Sequence, residues 1–536
     1  MKKLKLVCVA IAMACATPTL AGGLLTNTNQ HVAFDRMMSR EASIGIDGVY
    51  YNPAGVVFMS EGHHLAINWQ LAFQTRTINN DYALFTNNVN NPITPRDFKG
   101  TAFAPVIPSF QYAYNKGKWS FQASFALTGG GGKCTFDDGL GSFEKIVAET
   151  AIASCGLAGV VDQTLGNTLG QPGMEMFTSD QAFGKTGKYS FNSYMHGRQY
   201  YYGLSVGAAY KFCDNFSAFL GVRGVYALTN YYGYVENINV GNMPLYKVLD
   251  PTKENAANIE LSCDQTGVGF TPIIGVDYKT GRWNFSAKYE FKTRIRLKNK
   301  SVNQTPSIGN LPANLANQMT GILTARYQQA GLPLEQAKQQ AENTTNAVLN
   351  DPTVGATMMG LKTQFDQKLN KAIGEYEDGK KIAGDIPAYL AIGVGYRPVD
   401  AVRVNVGFHW FDDKNATSYN NRNKELKRGT LEYNAGVEVD VNKKITLSTG
   451  WQNTNYGLSD EYMDDKSFVV SSNSVAIGGV YHINKKMDLN VAYFHTFYQH
   501  KKTTETVQLT ADRSLNYSSD YTRNNNVFAV GLDINF

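Results

Sequence analysis

The sequence has no long apolar segment beyond its first residues. Residues 1–21 join a basic start, MKKLK, to the apolar run LVCVAIAMACA and the small residues of TLA. This pattern predicts a secretory signal peptide cleaved after Ala21; a lipoprotein modified at Cys15 is the alternative, although the residues before it match a lipobox poorly. No later run of about 18 apolar residues follows, so we expect no transmembrane helix. A form embedded in a membrane would then be a closed β-barrel, the other fold that satisfies every backbone group in lipid.

The chain is also poor in net charge and in cysteine. The formal charge of +5 includes three lysines of the signal peptide, so the exported chain is close to +2. Such a small charge gives no reason to expect a nucleic-acid partner. Of six cysteines, two lie in the signal. The spacing of the other four does not fit a zinc site, and we expect neither a metal nor a cofactor. They are Cys134, Cys155, Cys213 and Cys263.

What the sequence does have is apolar/polar alternation with a period of two. In LEYNAGVEVDV, from Leu431 to Val441, every odd position is apolar and every even position is polar or glycine. This is the pattern of a strand with one apolar and one wet face. Short polar turns and long connections alternate between such segments, which is the layout of outer-membrane barrels. We predict strands at 62–76, 103–114, 119–130, 199–212, 216–230, 265–278, 283–296, 386–397, 402–412, 429–441, 444–454, 472–483, 486–499 and 525–536.

Fourteen strands, an even number, predict an all-β membrane protein: an antiparallel transmembrane β-barrel over residues 61–536. The last strand ends on Phe536, which resembles the signal read by the outer-membrane assembly machinery. A secreted β-sandwich also shows alternation and is the competing fold, but its strands are usually shorter. We therefore expect a barrel in the outer membrane of a Gram-negative bacterium, surrounded by its lipid and present as a monomer.

Two regions do not read as strands. Residues 297–385 have apolar residues at helical spacing, which predicts a long extracellular loop with helices. These helices either cap the outer mouth by packing on each other or form an apolar groove for a ligand. Residues 22–60 precede the first strand. Because a barrel of this size leaves a wet lumen, we expect this segment to be a hatch, or plug, folded inside it.

The N-terminal segment carries a resemblance to a known family. Its sequence GGLLTNTNQHVAFDRMMSREASIGIDGVYYNPAGVVFM contains an NPAG turn, formed by Asn52, Pro53, Ala54 and Gly55. Proline fixes the turn, and asparagine can bond its own backbone there. The segment resembles the hatch of the FadL-type outer-membrane transporters of long-chain fatty acids and aromatic hydrocarbons. It departs from the family's pattern around Arg40, where small residues are usual.

The resemblance implies passive uptake of hydrophobic molecules. A ligand is captured at outer loops, passes to a pocket above the hatch, and leaves sideways through the wall at a kink of the third strand. That strand contains the run Gly129, Gly130, Gly131 and Gly132, which either shapes the kink or begins a loop. Greasy contacts in the hatch are expected from Leu24, Leu25, Phe34, Met37 and Met38.

Long-chain fatty acids are the expected cargo, and aromatic hydrocarbons or other lipids taken up by the same route are the alternative. A general porin, a surface adhesin and an outer-membrane phospholipase are competing functions. The eight histidines stand in no recognisable nucleophile motif, so we expect no enzyme. Cys134 and Cys155 are expected in one outer loop, where they are candidates for a disulfide.

Overall fold

The computed structural model describes residues 25–26, 29–306, 310–510 and 513–536; from 364 to 373 it describes the backbone only. The predicted signal peptide and Leu24 lie outside the described residues. The strands are β1 (Gly62–Tyr82), β2 (Arg96–Lys116), β3 (Trp119–Phe136), β4 (Tyr189–Cys213), β5 (Phe216–Val240), β6 (Met243–Pro244), β7 (Ile259–Thr280), β8 (Trp283–Glu290), β9 (Arg296–Gln304), β10 (Lys381–Ala383), β11 (Tyr389–Val399), β12 (Val402–Phe411), β13 (Arg428–Asn442), β14 (Ile445–Gly457), β15 (Ser472–Asn484), β16 (Met487–Tyr498), β17 (Lys501–Thr510) and β18 (Arg513–Asn535).

These strands form one closed antiparallel barrel. Neighbours in the chain pair around the ring, and β18 pairs back onto β1 from His64–Asn535 to Tyr82–Tyr517. Three wall positions consist of two pieces in line, namely β8 with β9, β10 with β11, and β16 with β17, while β6 only extends a loop. The wall therefore has fourteen strands, and the predicted fold class is confirmed.

The alternation seen in the sequence becomes the two faces of the wall. On β7 the outward residues Val268, Phe270 and Ile274 are 64%, 70% and 44% exposed, whereas Gln265 and Asp277 face inward and are buried. Exposed rings also stack near the short turns, as Trp283 does on Tyr396 at 4.2 Å between ring centroids. An apolar outer belt around a polar interior is what a barrel in a membrane requires.

The two ends of the barrel differ. Strands are joined by short turns at one end, where both the start of β1 and the C-terminal Phe536 also lie. Long connections at the other end carry helices: α3 (Gly141–Thr168), α4 (Tyr246–Leu249), α5 (Leu311–Gln329), α6 (Leu334–Leu349) and α7 (Pro352–Ile373). Two shorter helices, α1 (Val32–Met37) and α2 (Gly48–Tyr51), lie in the N-terminal segment.

The helices at the long-loop end pack on each other as a cap. Its apolar core includes Val147, Leu165, Leu315 and Met319, all buried. By length and composition α3 could cross a membrane, which the sequence reading did not anticipate, but half of its most apolar window is buried here. The boundaries of the predicted 297–385 loop are corrected, because β9 and β10 at its two ends belong to the wall.

Residues 29–60 lie inside the ring and contact it on nearly every side. α1 packs against β13 to β16 and against β18 and β1, whereas residues 55–58 pack against β3, β4, β5 and β7. Polar bonds accompany this packing: Asn68 of β1 accepts from the amide of Val32 at 3.2 Å, and Gln111 of β2 donates to the Gln30 carbonyl at 2.6 Å. We call residues 29–60 the plug segment.

Candidate functional site

The NPAG turn is bonded to the wall at the short-turn end of the lumen. The Asn52 side-chain oxygen accepts from the Gly55 amide at 3.1 Å, as expected for a turn, and its nitrogen donates to Asp277 of β7 at 2.6 Å. The carbonyl of Pro53 accepts from Gln122 of β3, and that of Ala54 accepts from Ser217 of β5, both at 2.7 Å. Three strands of the wall thus hold these four residues.

The other predicted hatch residues are buried around the segment. Phe34 stacks on Tyr51 with 5.5 Å between ring centroids, and Leu25 packs in a cluster with Tyr201 and Leu297. Met38 packs against the wall in a cluster with Phe494 and Val527. Met37 lies so close to the wall that its carbonyl would stand 1.7 Å from a Cβ added at Gly450. Leu24, as noted, is not among the described residues.

Charged pairs fasten the plug segment to the wall. Arg36 and Arg40 of the plug both bind Glu438 of β13, and Arg40 also forms a bidentate pair with Asp47 at 2.7 and 3.0 Å. Burial would raise the pKa of Asp47, but the Arg40 guanidinium holds it below its usual value. Each of these buried charges has an opposite charge beside it, which compensates its removal from water.

A histidine makes a second fastening point on the same pair of strands, β12 and β13. His409 of β12 is fully buried, and its Nε2 lies 2.7 Å from Glu41 of the plug while its Nδ1 lies 2.8 Å from Glu432 of β13. One imidazole between two carboxylates is satisfied as the doubly protonated ring, which donates to both. His409 therefore joins the plug to the wall.

A cavity of about 250 Å³ lies inside the wall, between the N-terminal segment and the outer loop that joins β14 to β15. Thr26 and Asn29 reach it from the N-terminal segment, and Lys466 and Phe468 reach it from that loop. Its lining mixes apolar side chains with amide and cationic groups. The wall contributes Gln74, Arg76, Leu127, Cys134, Phe136, Gln199, Phe494, Tyr498, Arg523 and Asn525, among others.

Two arginines face each other across the seam of the barrel in this cavity. Arg76 of β1 and Arg523 of β18 are register partners, so their side chains leave neighbouring strands on the same face. Arg76 donates to Gln74 at 3.1 Å, and no carboxylate lies within 4 Å of either guanidinium among the described residues. Like charges directly opposite one another are destabilising on their own, so the pair is suited to an anion bound between them.

The wall is interrupted beside the same cavity. β2 and β3 pair from Ser109–Ala126 to Lys116–Trp119 and again from Ala102–Cys134, but not between. There β3 continues as a strand on β4, with register shifts at Leu127/Gly129 and Gly130/Gly132. We call this interruption, between 103–108 of β2 and 127–133 of β3, the wall gap.

Local sequence explains why the gap persists. Gly130 has φ +79°, and an added Cβ would lie 2.3 Å from the Gln199 carbonyl oxygen, so the bend requires glycine there. On the facing strand, Pro105 and Pro108 cannot donate to a ladder. Two side chains bind the exposed carbonyls instead: Gln30 of the plug donates to Leu127 at 2.7 Å, and Trp69 donates to Pro105 at 2.9 Å.

The cysteine prediction fails in the structure. Cys134 is on β3 and faces the cavity, not an outer loop, whereas Cys155 is on α3 in the cap. Both are free thiols, as are Cys213 and Cys263. The error arose because the polar outer part of β3 lacks the alternation that marks a lipid-facing strand.

The cap contains a second cavity, of about 110 Å³, with an almost wholly apolar lining. It lies between α3, α4 and α5, with Leu361 of α7 and Ile238 at the end of β5 also in contact. The helices thus enclose an apolar space as well as packing on each other, which are the two arrangements considered for this loop.

A closed fourteen-stranded barrel that is filled at its base, capped by helices and interrupted beside an inner cavity is the fold that this chain shares with a solved FadL homologue. A crystal structure of a Pseudomonas aeruginosa FadL homologue is similar to this chain, with a TM-score of 0.57, 14% identity, and 96% of this chain and 100% of that chain covered. The P. putida toluene transporter TodX is similar at a TM-score of 0.48 and 12% identity, covering 92% and 94% of the two chains. No protein-family model and no curated protein sequence matches the chain.

Sequence reasoning missed the two arginines. Arg76 ends the first predicted strand and Arg523 lies just before the last one, and their proximity depends on the register between the two strands. Matching the apolar faces of β1 and β18 puts both arginines on the inner face but does not fix that register.

Proposed function

We propose that this protein takes up long-chain fatty acids passively across the outer membrane of a Gram-negative bacterium. A ligand is captured in the apolar cavity of the cap, moves to the cavity above the plug segment, and leaves through the wall gap into the lipid. The glycines 129–132 shape that exit, and the NPAG turn fastens the closed end of the lumen. Leu25 and Met38 hold the N-terminal segment against the wall.

The observation that carries the proposal is the pair Arg76 and Arg523 beside the wall gap. A fatty acid has one anionic group and one long apolar chain. The two guanidinium groups suit the carboxylate, because charge-assisted hydrogen bonds to arginine are strong and can be bidentate. The chain can then lie along Leu127 and Phe494 toward the gap, both of which line the cavity.

A sideways exit fits the physical requirement of such a cargo. Passage through the polar base of the lumen would expose the chain to water, at about 25 cal/mol for each Å² of apolar surface. It would also require the buried ion pairs of the plug segment to break. Leaving through the wall at the level of the lipid avoids both costs, and the only missing pairing between β2 and β3 in the described chain borders the cavity.

Uptake of neutral aromatic hydrocarbons by the same route is the alternative. It would make no use of two facing cations, since a hydrocarbon carries no anion. An open general porin is disfavoured because the plug segment occupies the lumen and is bonded to strands around the ring.

The test compares two probes of equal length that differ only in the head group. In cells or proteoliposomes, the double variant Arg76→Gln/Arg523→Gln should take up a long-chain fatty acid roughly tenfold more slowly, the equivalent of one charged hydrogen bond. Uptake of the corresponding fatty alcohol should stay at the parent rate, because the gap and the apolar lining are unchanged.

Arg282→Gln is the matched control, because Arg282 lies at a short turn and is half-exposed beside Asp400. It should leave both probes unaffected. Equal uptake of fatty acid by the parent and the double variant would remove the argument for an acidic cargo. Transport of toluene at the parent rate, with no transport of either lipid probe, would favour the aromatic alternative.

A further inference from the structure

A stripe of cations runs up the outer surface of the barrel along β9 and the two residues before its start. In the sequence KTRIRLKNK, from Lys292 to Lys300, basic residues alternate with others. Ile295, Leu297 and Asn299 face inward and are buried. The side chains that alternate with them point outward and are exposed: Arg294, Arg296, Lys298 and Lys300.

A fifth outward cation stands beside the stripe. Lys381 of β10 is exposed and is the register partner of Lys298, so the two ammonium groups leave adjacent strands on the same face. Arg294, Lys298, Lys300 and Lys381 together are called the basic stripe below. Arg296 is set apart because it pairs with Asp385 at 2.9 Å.

The basic stripe has no internal counter-charge. Among the described residues, no carboxylate lies within 4 Å of any of its four cations. Asp264 is the register partner of Lys300, but its carboxylate accepts a hydrogen bond from Asn230 at 2.8 Å instead. Four like charges on neighbouring positions repel one another. A bound anion would relieve this repulsion. Because the cations are spaced along two strands, an anion with several charged groups suits them.

The position of the basic stripe, relative to the apolar belt of the barrel, indicates the kind of anion. Lys298 is the register partner of Thr266 on β7, and the next outward residues of β7 toward the short turns are the exposed Val268 and Phe270. Val268 is in turn the register partner of Tyr226, which is exposed on β5. The basic stripe therefore begins where the apolar belt of the barrel ends, on the long-loop side. This is the level of lipid head groups.

We propose that the basic stripe binds the phosphate groups of a phosphorylated glycolipid of the outer leaflet, a lipopolysaccharide. Such a molecule joins acyl chains to several phosphates, so its chains can lie on Val268 and Phe270 while its phosphates meet the cations above them. A soluble polyanion has no acyl chains and would leave the adjoining apolar face unused. The proposal depends on the outer-membrane location given under the proposed function, but not on what is transported.

The test measures lipid that stays bound to the folded barrel. The parent protein, extracted from outer membranes in mild detergent, should retain lipopolysaccharide in native mass spectra. The variant Arg294→Gln/Lys298→Gln/Lys300→Gln/Lys381→Gln should retain roughly tenfold less or below, since each cation near an anionic lipid surface contributes to binding. The parent should also rebind added lipopolysaccharide, but not the enzymatically dephosphorylated form.

A matched control carries the same change of charge at the other end of the barrel. Lys443, Lys444, Lys485 and Lys486 are exposed in short turns, and their fourfold change to Gln should leave retention at the parent level. Heat-modifiable migration in gels shows that each variant is folded. Equal retention by the stripe variant and the parent would overturn the proposal, as would an equal loss in the control. It would also be overturned if the stripe variant lost binding to soluble heparin and kept its lipopolysaccharide.

Discussion

Charged side chains are arranged in opposite ways at the base of the lumen and in the cavity above it. At the base, Arg36 and Arg40 share Glu438, and His409 lies between two carboxylates. In the cavity, Arg76 and Arg523 face each other with no carboxylate within 4 Å in the described part of the chain. Both regions lie inside one wall and are built from strands with the same alternation.

This difference separates charges that hold parts of the protein together from charges that can bind a ligand. A buried charge that is paired within the protein fixes two parts of the molecule together, and little remains for a ligand. Two like charges without a counter-charge repel each other, and a ligand of opposite charge can neutralise them. The paired charges at the base of the lumen suit a segment that closes the barrel, and the facing cations in the cavity above it suit the recognition of a cargo.

Removing the base altogether should have the largest effect. Deletion of residues 30–58 takes away α1, α2 and the NPAG turn with their contacts to the wall, but leaves all barrel strands in place. The emptied lumen of a fourteen-stranded barrel is wider than its side chains can fill. We expect ion conductance in planar bilayers to rise roughly tenfold or more over the parent, with heat-modifiable migration retained. A deleted barrel that conducts as little as the parent would show that the plug segment does not close the lumen.

Removing one shared carboxylate should give a smaller opening. Glu438→Ala removes the carboxylate that the buried Arg36 and Arg40 share with the partly buried Arg403. Breaking a buried ion pair typically costs about 3–5 kcal/mol. We expect intermittent conductance steps that the parent lacks, measured in single-channel recordings.

The control for this change is Asp400→Ala, which removes the partner of Arg282 in a surface pair. Exposed pairs contribute at most about 1 kcal/mol. Conductance should therefore match the parent. Identical recordings from the Glu438 and Asp400 variants would contradict the assignment of the base as the closing element.

Filling the wall gap should leave the base closed and affect the cargo alone. An added Cβ at Gly132 would meet only the Ala104 Cβ, at 3.7 Å across the gap, so a larger side chain there has room to grow into it. Gly132→Phe should slow fatty-acid uptake several-fold without raising conductance. Gly224→Phe, a change on β5 with similar space around it, should alter neither. Uptake that survives Gly132→Phe would place the exit elsewhere.

The strand bounds could be predicted from the sequence where lipid imposes apolar/polar alternation, but not beyond the apolar belt. β12 and β13 were placed within a residue of their observed bounds, because one face must be apolar throughout. β4 and β5 extend to Tyr189 and Val240, well past their predicted ends, since above the apolar belt polar side chains suit both faces. For the same reason β17, with the sequence KKTTETVQLT, was not predicted.

The candidate site was only partly predictable. The NPAG turn and its internal Asn52 bond follow from local chemistry, whereas its contacts with Asp277 and Ser217 depend on tertiary structure. The glycine run indicated a defect in β3, but the run does not show that Pro105 and Pro108 would face it. The arginine pair required the closing register of the barrel, which no local pattern contains.

The seam at which β18 pairs with β1 also has a consequence for the order in which the barrel assembles. His63 at the start of β1 donates its amide to the carbonyl of Phe536, and the two rings stack at 5.4 Å between centroids. The last residue of the chain is therefore needed to complete the ring that the first strand begins. The plug segment is bonded around nearly the whole interior and is continuous with β1, so we expect it to be in position before that final contact forms. We therefore expect the interior of the barrel to be filled before the seam between β1 and β18 closes.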